Sequence, residues 1–198
     1  MIAEQIRARD VRDSRVLAAL ARVPREMFVP ESQRHEAYDD HPVPIGFGQT
    51  ISQPYIVAFM TEALRVEPSH RVLEIGTGCG YQTAVLAELA ADVYSVEIIE
   101  ALADRARQTL ALLGYTNVHI CAGDGHHGWR AHAPYDRILA AAAAESVPPA
   151  LVEQLADGGV LVLPVGVFHQ ELRVLQRRGG ALDLLSTLPV RFVPLVRR

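Results

Sequence analysis

The chain has 198 residues, 49% hydrophobic and 21% charged, with 14 Gly and 12 Pro. That size and make-up bury a substantial core in one globular domain and exclude disorder and collagen-like repeats. Its 19 basic residues stand against 23 acidic ones for a net charge of −4, and every basic residue is Arg. Schiff-base lysine chemistry is therefore excluded, and nothing suggests a nucleic-acid or anionic-membrane surface.

Cys79 and Cys121 are too few for a disulfide scaffold and form no C-x-x-C pair, which fits a reducing, cytoplasmic setting. No apolar run approaches the ~20 residues of a membrane span, so neither export nor anchoring is expected.

In chain order, Val16, Leu17, Leu20 and Val23 repeat at helical spacing until Pro24 stops them. The first seventy residues read as a helical and irregular flank without a sheet. Residues 28–53 carry prolines, glycines and only short apolar runs, the composition of a long ordered loop, and such loops are usually functional. Ser52 is placed to cap a helix over 54–64, with Ile56, Phe59, Met60, Ala63 and Leu64 on its buried side.

From residue 71 the rhythm changes to strand and helix in turn. Strands are expected at 71–75, 92–96, 118–122, 135–140 and 159–164, and helices at 81–90, 99–113 and 148–156. This alternation predicts an α/β fold with a doubly wound, mainly parallel sheet. Segments 171–177 and 181–187 flank Gly179-Gly180, a hairpin signature that closes the sheet with an antiparallel edge. One domain over 1–198 accounts for the chain, with 1–70 as the flank and 71–198 as the sheet core.

The run Gly76-Thr77-Gly78-Cys79-Gly80-Tyr81 follows a strand and opens a helix, the context in which backbone approaches a nucleotide-like ligand closely. Its third glycine comes one residue earlier than in G-x-G-x-x-G, which disfavours NAD. Glu74 before the loop and Glu97, 21 residues after Gly76, complete a pattern typical of S-adenosyl-L-methionine binding. A carboxylate at the end of the second strand accepts from both hydroxyls of a ribose. Asp124, after the third strand, is expected in the same crevice, accepting from an adenine amino group. Each feature alone is ordinary turn chemistry; together, at the carboxyl ends of successive strands, they point to the cofactor.

Residues 48–55 read Gly-Gln-Thr-Ile-Ser-Gln-Pro-Tyr, hydroxyls on a loop leading into a helix, where free backbone N–H groups favour an anion such as a carboxylate. Ser52 serves there as an N-cap, as a substrate-facing hydroxyl, or as both.

These residues resemble the protein-L-isoaspartate O-methyltransferases, repair enzymes that methylate abnormal isoaspartyl carboxylates in damaged proteins. The resemblance covers nearly the full chain. It runs through Arg-Val-Pro-Arg at 22–25, Phe-Val-Pro at 28–30, Pro-Ile-Gly at 44–46, the 48–55 segment and residues 72–81. It continues through Gly-Asp-Gly at 123–125, Ala-Pro-Tyr-Asp at 133–136, Pro-Val-Gly at 164–166 and Val-Arg-Phe-Val-Pro-Leu at 190–195. The segments at 49–52 and 190–195 are specific to this family among methyltransferases, whereas the glycine loop is shared by the superfamily.

The resemblance implies a Rossmann-like fold and S-adenosyl-L-methionine as cofactor, held by Gly76, Thr77, Gly78, Gly80, Tyr81, Glu97, Asp124 and Gly125. It implies that Ser52 is the active-site hydroxyl. Thr50 and Ile51, with the backbone around Val190 and Arg191, would hold the isoaspartyl segment. Partners are then damaged proteins and peptides, with neither nucleic acid nor membrane, and a monomer is expected.

Two positions depart from the family pattern. A Thr-Ala-Ala-Ala-Pro-like run after the fourth strand reads Ala141-Ala142-Ala143-Ala144-Glu145, which removes a hydroxyl near the acceptor. Cys79 stands where many relatives carry Ser, a milder change. Glu145, expected beside the acceptor site, is either a surface charge or a group that repels acidic segments. These departures leave open a methyltransferase retargeted to another peptide carboxylate. A non-catalytic cofactor-binding relative is also open, although the intact Ser52 argues against it. His126, His127 and His132 lack metal-ligand spacing and read as a solvated loop, so no metal is expected. Trp129 reads as packing.

Overall fold

The computed structural model describes residues 1–197. Helix α1 (Ser14–Arg22) begins where the Asp13 carboxylate accepts from the N–H groups of Arg15 and Val16, satisfying donors that an α-helix leaves orphaned at its start. It buries Val16, Leu17, Ala19 and Leu20, the stripe legible in the sequence.

Residues 28–53 are more regular than expected. Short 3-10 turns span Arg25–Phe28 and Glu31–Glu36, and β1 (Val43–Gly46) pairs antiparallel with β2 (Gln49–Ile51). The connecting Phe47 and Gly48 have φ of 55° and 70°, the left-handed pair that a tight hairpin turn requires. Three- and four-residue strands interrupted by Pro and Gly are too short to show a period, so the flank's small sheet was hidden.

Helix α2 (Pro54–Leu64) forms as expected, but Gln53 is its N-cap residue and no side chain caps it. The expected Ser52 cap is absent because Ser52 lies one residue too early. Its buried residues are Pro54, Val57, Ala58, Met60, Thr61 and Leu64. Ile56, Phe59 and Ala63 are only half-buried, because α2 is wedged between α1 and the strands of the main sheet and has no single inward face.

The main sheet comprises β3 (Arg71–Ile75), β4 (Asp92–Glu97), β5 (Val118–Ala122), β6 (Tyr135–Ala140), β7 (Leu155–Val165), β8 (Gln170–Arg178) and β9 (Ala181–Val190). Its spatial order is β5-β4-β3-β6-β7-β8-β9. The first five strands run parallel, and β8 and β9 form the antiparallel edge. Helices α3 (Tyr81–Ala87), α4 (Glu100–Leu112) and α5 (Pro149–Gln154) fill three crossovers, while the β5–β6 crossover holds only two 3-10 turns. Strand β7 starts earlier than expected, at Leu155, with a register shift before Val160.

Alternate residues of each central strand face two cores. Val72, Val93, Leu139 and Val160 join α1 to α4 on one face. Leu73, Ile75, Ile138 and Leu161 meet α5 and the aromatic residues of the β5–β6 connection on the other. Burial on both faces explains why these strands are near-continuous apolar runs. The strand order reverses between β3 and β6, and ligands of open α/β sheets bind at the carboxyl ends of strands at such a switch. Among the described residues, no helix is long and apolar enough to cross a membrane.

Candidate active site

The glycine loop leaves β3 at the switch point, where the Gly76 N–H donates to the Val96 carbonyl of β4 at 2.8 Å. Gly80 closes it as the residue before α3, with φ of 91°. A Cβ at Gly80 would stand 3.2 Å from both Ala106 and Leu110, so the third glycine serves the packing of loop against α4.

Glu97 ends β4 and is 5% exposed. Its Oε2 accepts from the Gly78 N–H at 2.7 Å and its Oε1 from the Ile99 N–H at 2.9 Å. Each oxygen keeps a further acceptor direction, and Glu97 lines the cavity below.

Glu74 does not line that cavity. It is fully buried beneath the loop, where its Oε2 accepts from Thr83 Oγ1 at 2.5 Å and Ser95 Oγ at 2.6 Å. Because the Ser95 proton is spent on Glu74, Thr77 Oγ1 is the donor in its 2.6 Å bond with Ser95 Oγ. Burial pushes the Glu74 carboxyl up to about 7, against the opposing pull of the Ser95 and Thr83 hydroxyls. Glu74 thus supports the loop from below.

Two cavities meet beside Ser52. The first is lined by Gly76, Thr77, Gly78, Cys79, Tyr81, Glu97 and Gly125, with Met60, Ile98 and Ile99 as apolar walls. The second is lined by Pro42, Gln53, Ile56, Val190, Arg191 and Phe192. Thr50, Ser52, Ala141 and Val193 line both. Ile51 lines the first only and is buried at 3% exposure. The apolar walls Ile98 and Ile99 escaped the sequence reading, although two isoleucines directly after Glu97 were their signal, and Met60 was read only as the buried side of its helix.

Gly80 and Asp124 stand apart from the first cavity's lining. Asp124 turns back onto its own turn, its Oδ1 accepting from the His126 N–H at 2.9 Å and lying 2.9 Å from His126 Nδ1. It lines a neighbouring cavity together with His126, His127 and Glu145. Its place beside the glycine loop is taken by Gly125, where a Cβ would come within 2.3 Å of Ile75. Glu145, expected beside the acceptor site, is exposed on that same neighbouring cavity.

The three histidines do not share one solvated loop. His127 is exposed, His126 is tied to Asp124, and His132 stacks on Tyr94 with ring centroids 4.4 Å apart. Trp129 packs edge-on against Tyr94 at 5.7 Å. Among the described residues, no group of three or more His, Cys, Asp or Glu is placed to hold a metal ion.

The alanine run after β6 works through its backbone. The Ala141 N–H donates to Ile75 O at 2.8 Å, Ala143 exchanges bonds of 2.8 and 2.7 Å with Val193 and Leu195, and Ala144 bonds Pro164 and Gly166. Short side chains let three segments approach this closely. Gln170 fixes the wall of the second cavity, its Oε1 accepting from the Phe192 N–H at 2.6 Å and its Nε2 donating to Phe192 O at 3.2 Å.

Comparison with known proteins agrees with this architecture. The family Protein-L-isoaspartate(D-aspartate) O-methyltransferase (PCMT) matches residues 1–198. The chain is 56% identical over 199 residues to the protein-L-isoaspartate O-methyltransferase of Opitutus terrae, covering 100% of this chain and 85% of that relative. It is 57% identical over 198 residues to the one of Anaeromyxobacter dehalogenans, covering 98% and 95%. A solved protein-L-isoaspartate O-methyltransferase superposes with a TM-score of 0.88 at 28% identity, covering 95% of this chain and 62% of that one. A Plasmodium falciparum protein assigned to PCMT, solved in complex with S-adenosyl-L-homocysteine, gives 0.83 at 25% identity, covering 97% and 95%. With its whole length matched and its fold shared, the chain belongs to the protein-L-isoaspartate O-methyltransferase family.

Proposed function

We propose that the two joined cavities are the cofactor and acceptor halves of one active site. In it, methyl transfer from S-adenosyl-L-methionine to the free carboxylate of L-isoaspartyl residues begins the repair of damaged proteins and peptides. The observation that carries this reading is that Thr50, Ser52 and Ala141 line both cavities, so a group held in one meets a group held in the other at these residues.

The residues of the first cavity fit the cofactor. The free acceptor directions of the buried Glu97 carboxylate suit two ribose hydroxyls, and Met60, Ile98 and Ile99 offer apolar walls. Gly76, Thr77, Gly78, Tyr81 and Gly125 line the remainder, with Gly80 shaping the loop from behind. Asp124 contributes by holding the turn that presents Gly125. When bound, S-adenosyl-L-methionine supplies a methyl group already activated by its sulfonium sulfur.

An ionised carboxylate is already a nucleophile, so the protein's task is orientation, an effect that supplies roughly 7 to 11 kcal/mol in favourable systems. Ser52 donates a hydrogen bond that aims one carboxylate oxygen. Thr50 on one side, anchored by the buried Ile51 next to it, and the backbone of Val190 and Arg191 on the other hold the isoaspartyl segment. The flank over residues 1–70 covers the site and excludes water, which favours a transfer that neutralises charge.

Residues 1–198 act on this reading as one domain and as a monomer, in the cytoplasm, where the free thiols Cys79 and Cys121 stay reduced. The test is Ser52→Ala, assayed for transfer of labelled methyl to an isoaspartyl peptide. The expected result is a fall in kcat/KM of roughly tenfold or more, the worth of a hydrogen bond to a charged group. Unchanged transfer would remove Ser52 from the acceptor site.

A further inference from the structure

Arg25 is fully buried, and among the described residues no carboxylate pairs with it. Its Nε donates to the Ala37 carbonyl at 2.5 Å and its Nη2 to the Ser52 carbonyl at 2.6 Å. The guanidinium carbon lies 4.7 Å from the centroid of the Tyr81 ring. Tyr81 in turn ends the glycine loop, opens α3 and takes Phe28 edge-on at 5.6 Å. Arg25 Nη1 and the Tyr81 hydroxyl are both buried without a hydrogen-bond partner.

A buried charge is costly unless something compensates it. Here two carbonyl dipoles and a ring face do so, and these partners come from three separate parts of the chain. Ser52 and Tyr81 are the two that line the cofactor cavity. The planar fork of a guanidinium meets two carbonyls and a ring face at once; an ammonium does not.

We propose that Arg25 is a positioning residue that locks the Ser52 loop to the cofactor loop at Tyr81, so that cofactor binding sets the acceptor loop in place before the acceptor arrives. The proposal rests on the reading of Ser52 as an acceptor-site residue. The guanidinium is then the polar link that joins the cofactor loop at Tyr81 to the backbone of Ser52 and Ala37. Lysine at this position keeps the charge but reaches one carbonyl; methionine keeps the bulk and reaches none.

The experiment is amide hydrogen exchange of the full chain with and without S-adenosyl-L-homocysteine, read in residues 33–40. None of these lines either cavity, yet they contain Ala37. In the wild type, ligand is expected to slow exchange there about tenfold. In Arg25→Lys and Arg25→Met the slowing is expected to vanish, although Gln53 still bonds Asp40. Ligand affinity in Arg25→Lys stays within about threefold, while kcat for isoaspartyl peptide falls more than tenfold.

Equal slowing in wild type and both variants would overturn the proposal, as would no slowing in the wild type, a result that needs no variant to fold. The exchange measurement uses no acceptor. Unchanged methyl transfer by Ser52→Ala would therefore remove Ser52 from the acceptor site while leaving the link from Arg25 to both loops standing.

Discussion

The carboxylate of Glu97 accepts a 2.7 Å hydrogen bond from the backbone N–H of Gly78, so a charge at the end of β4 holds the middle of the glycine loop that leaves β3. A second backbone donor, Ile99, occupies its other oxygen at 2.9 Å. The group proposed to bind the ribose therefore also builds the loop around it. In Glu97→Gln the amide nitrogen must face one of these N–H groups, donor against donor. Affinity for S-adenosyl-L-homocysteine, measured by calorimetry, is expected to fall by about ten- to a hundredfold, matching the ~1.5–3 kcal/mol of a hydrogen bond to a charged group. A change below threefold would show that Glu97 is not a cofactor ligand.

Gly80 and Gly114 separate backbone strain from crowding. Both have positive φ, 91° and 82°, but a Cβ at Gly80 lies 3.2 Å from Ala106 and Leu110, whereas one at Gly114 meets nothing within 4 Å. Gly114→Ala is expected to cost about 1–2 kcal/mol, the left-handed penalty alone. Gly80→Ala adds overpacking and is expected to cost about 2–5 kcal/mol. Urea unfolding measures both, and equal losses would refute the packing role of the third loop glycine.

Glu74 makes stability depend on pH. Burial raises its carboxyl from the ordinary value of 4.5 to about 7, so between these values the folded protein binds a proton that the unfolded chain has released. Stability from this group is fully present below about 4.5 and is lost as pH rises towards 7. Glu74→Gln cannot ionise and is expected to lose that downward slope, gaining on the wild type between pH 5 and pH 8. Urea titrations at the two pH values check this; parallel behaviour of wild type and variant would contradict it.

How much of this was legible in the sequence depended on the length of each signal. Strands β3, β5 and β6 were read to the residue because each is a short run rich in apolar residues bounded by turn residues, even in β5, a half-buried edge strand. The β1–β2 hairpin was missed because its strands are too short to show alternation. At the site, Glu97 and the glycine loop were read from local spacing. Asp124 caps its own turn and lines the neighbouring cavity; whether a carboxylate after a strand faces the crevice or its own turn is decided by side-chain geometry, which local spacing does not carry. Arg25 was visible only as one letter of a motif, since its partners Ala37, Ser52 and Tyr81 lie 12, 27 and 56 residues away.

Ala141 tests the departure from the family pattern. It lines both cavities, and its Cβ would be 3.6 Å from a Cβ at Gly76. Ala141→Thr places a hydroxyl at the junction. If that hydroxyl reaches the acceptor, kcat/KM for isoaspartyl peptide is expected to rise about two- to tenfold, the net worth of ~0.5–1.5 kcal/mol for one hydrogen bond. No rise, with cofactor affinity intact, would show that the backbone of the alanine run already suffices.

On the proposed function, the second cavity selects an isoaspartyl carboxylate for methylation. The most direct measurement is transfer of labelled methyl from S-adenosyl-L-methionine to an isoaspartyl peptide and to its aspartyl twin, identical in sequence. Labelling of the isoaspartyl peptide alone is expected. Equal labelling of the two, or S-adenosyl-L-homocysteine binding with transfer to neither, would contradict it.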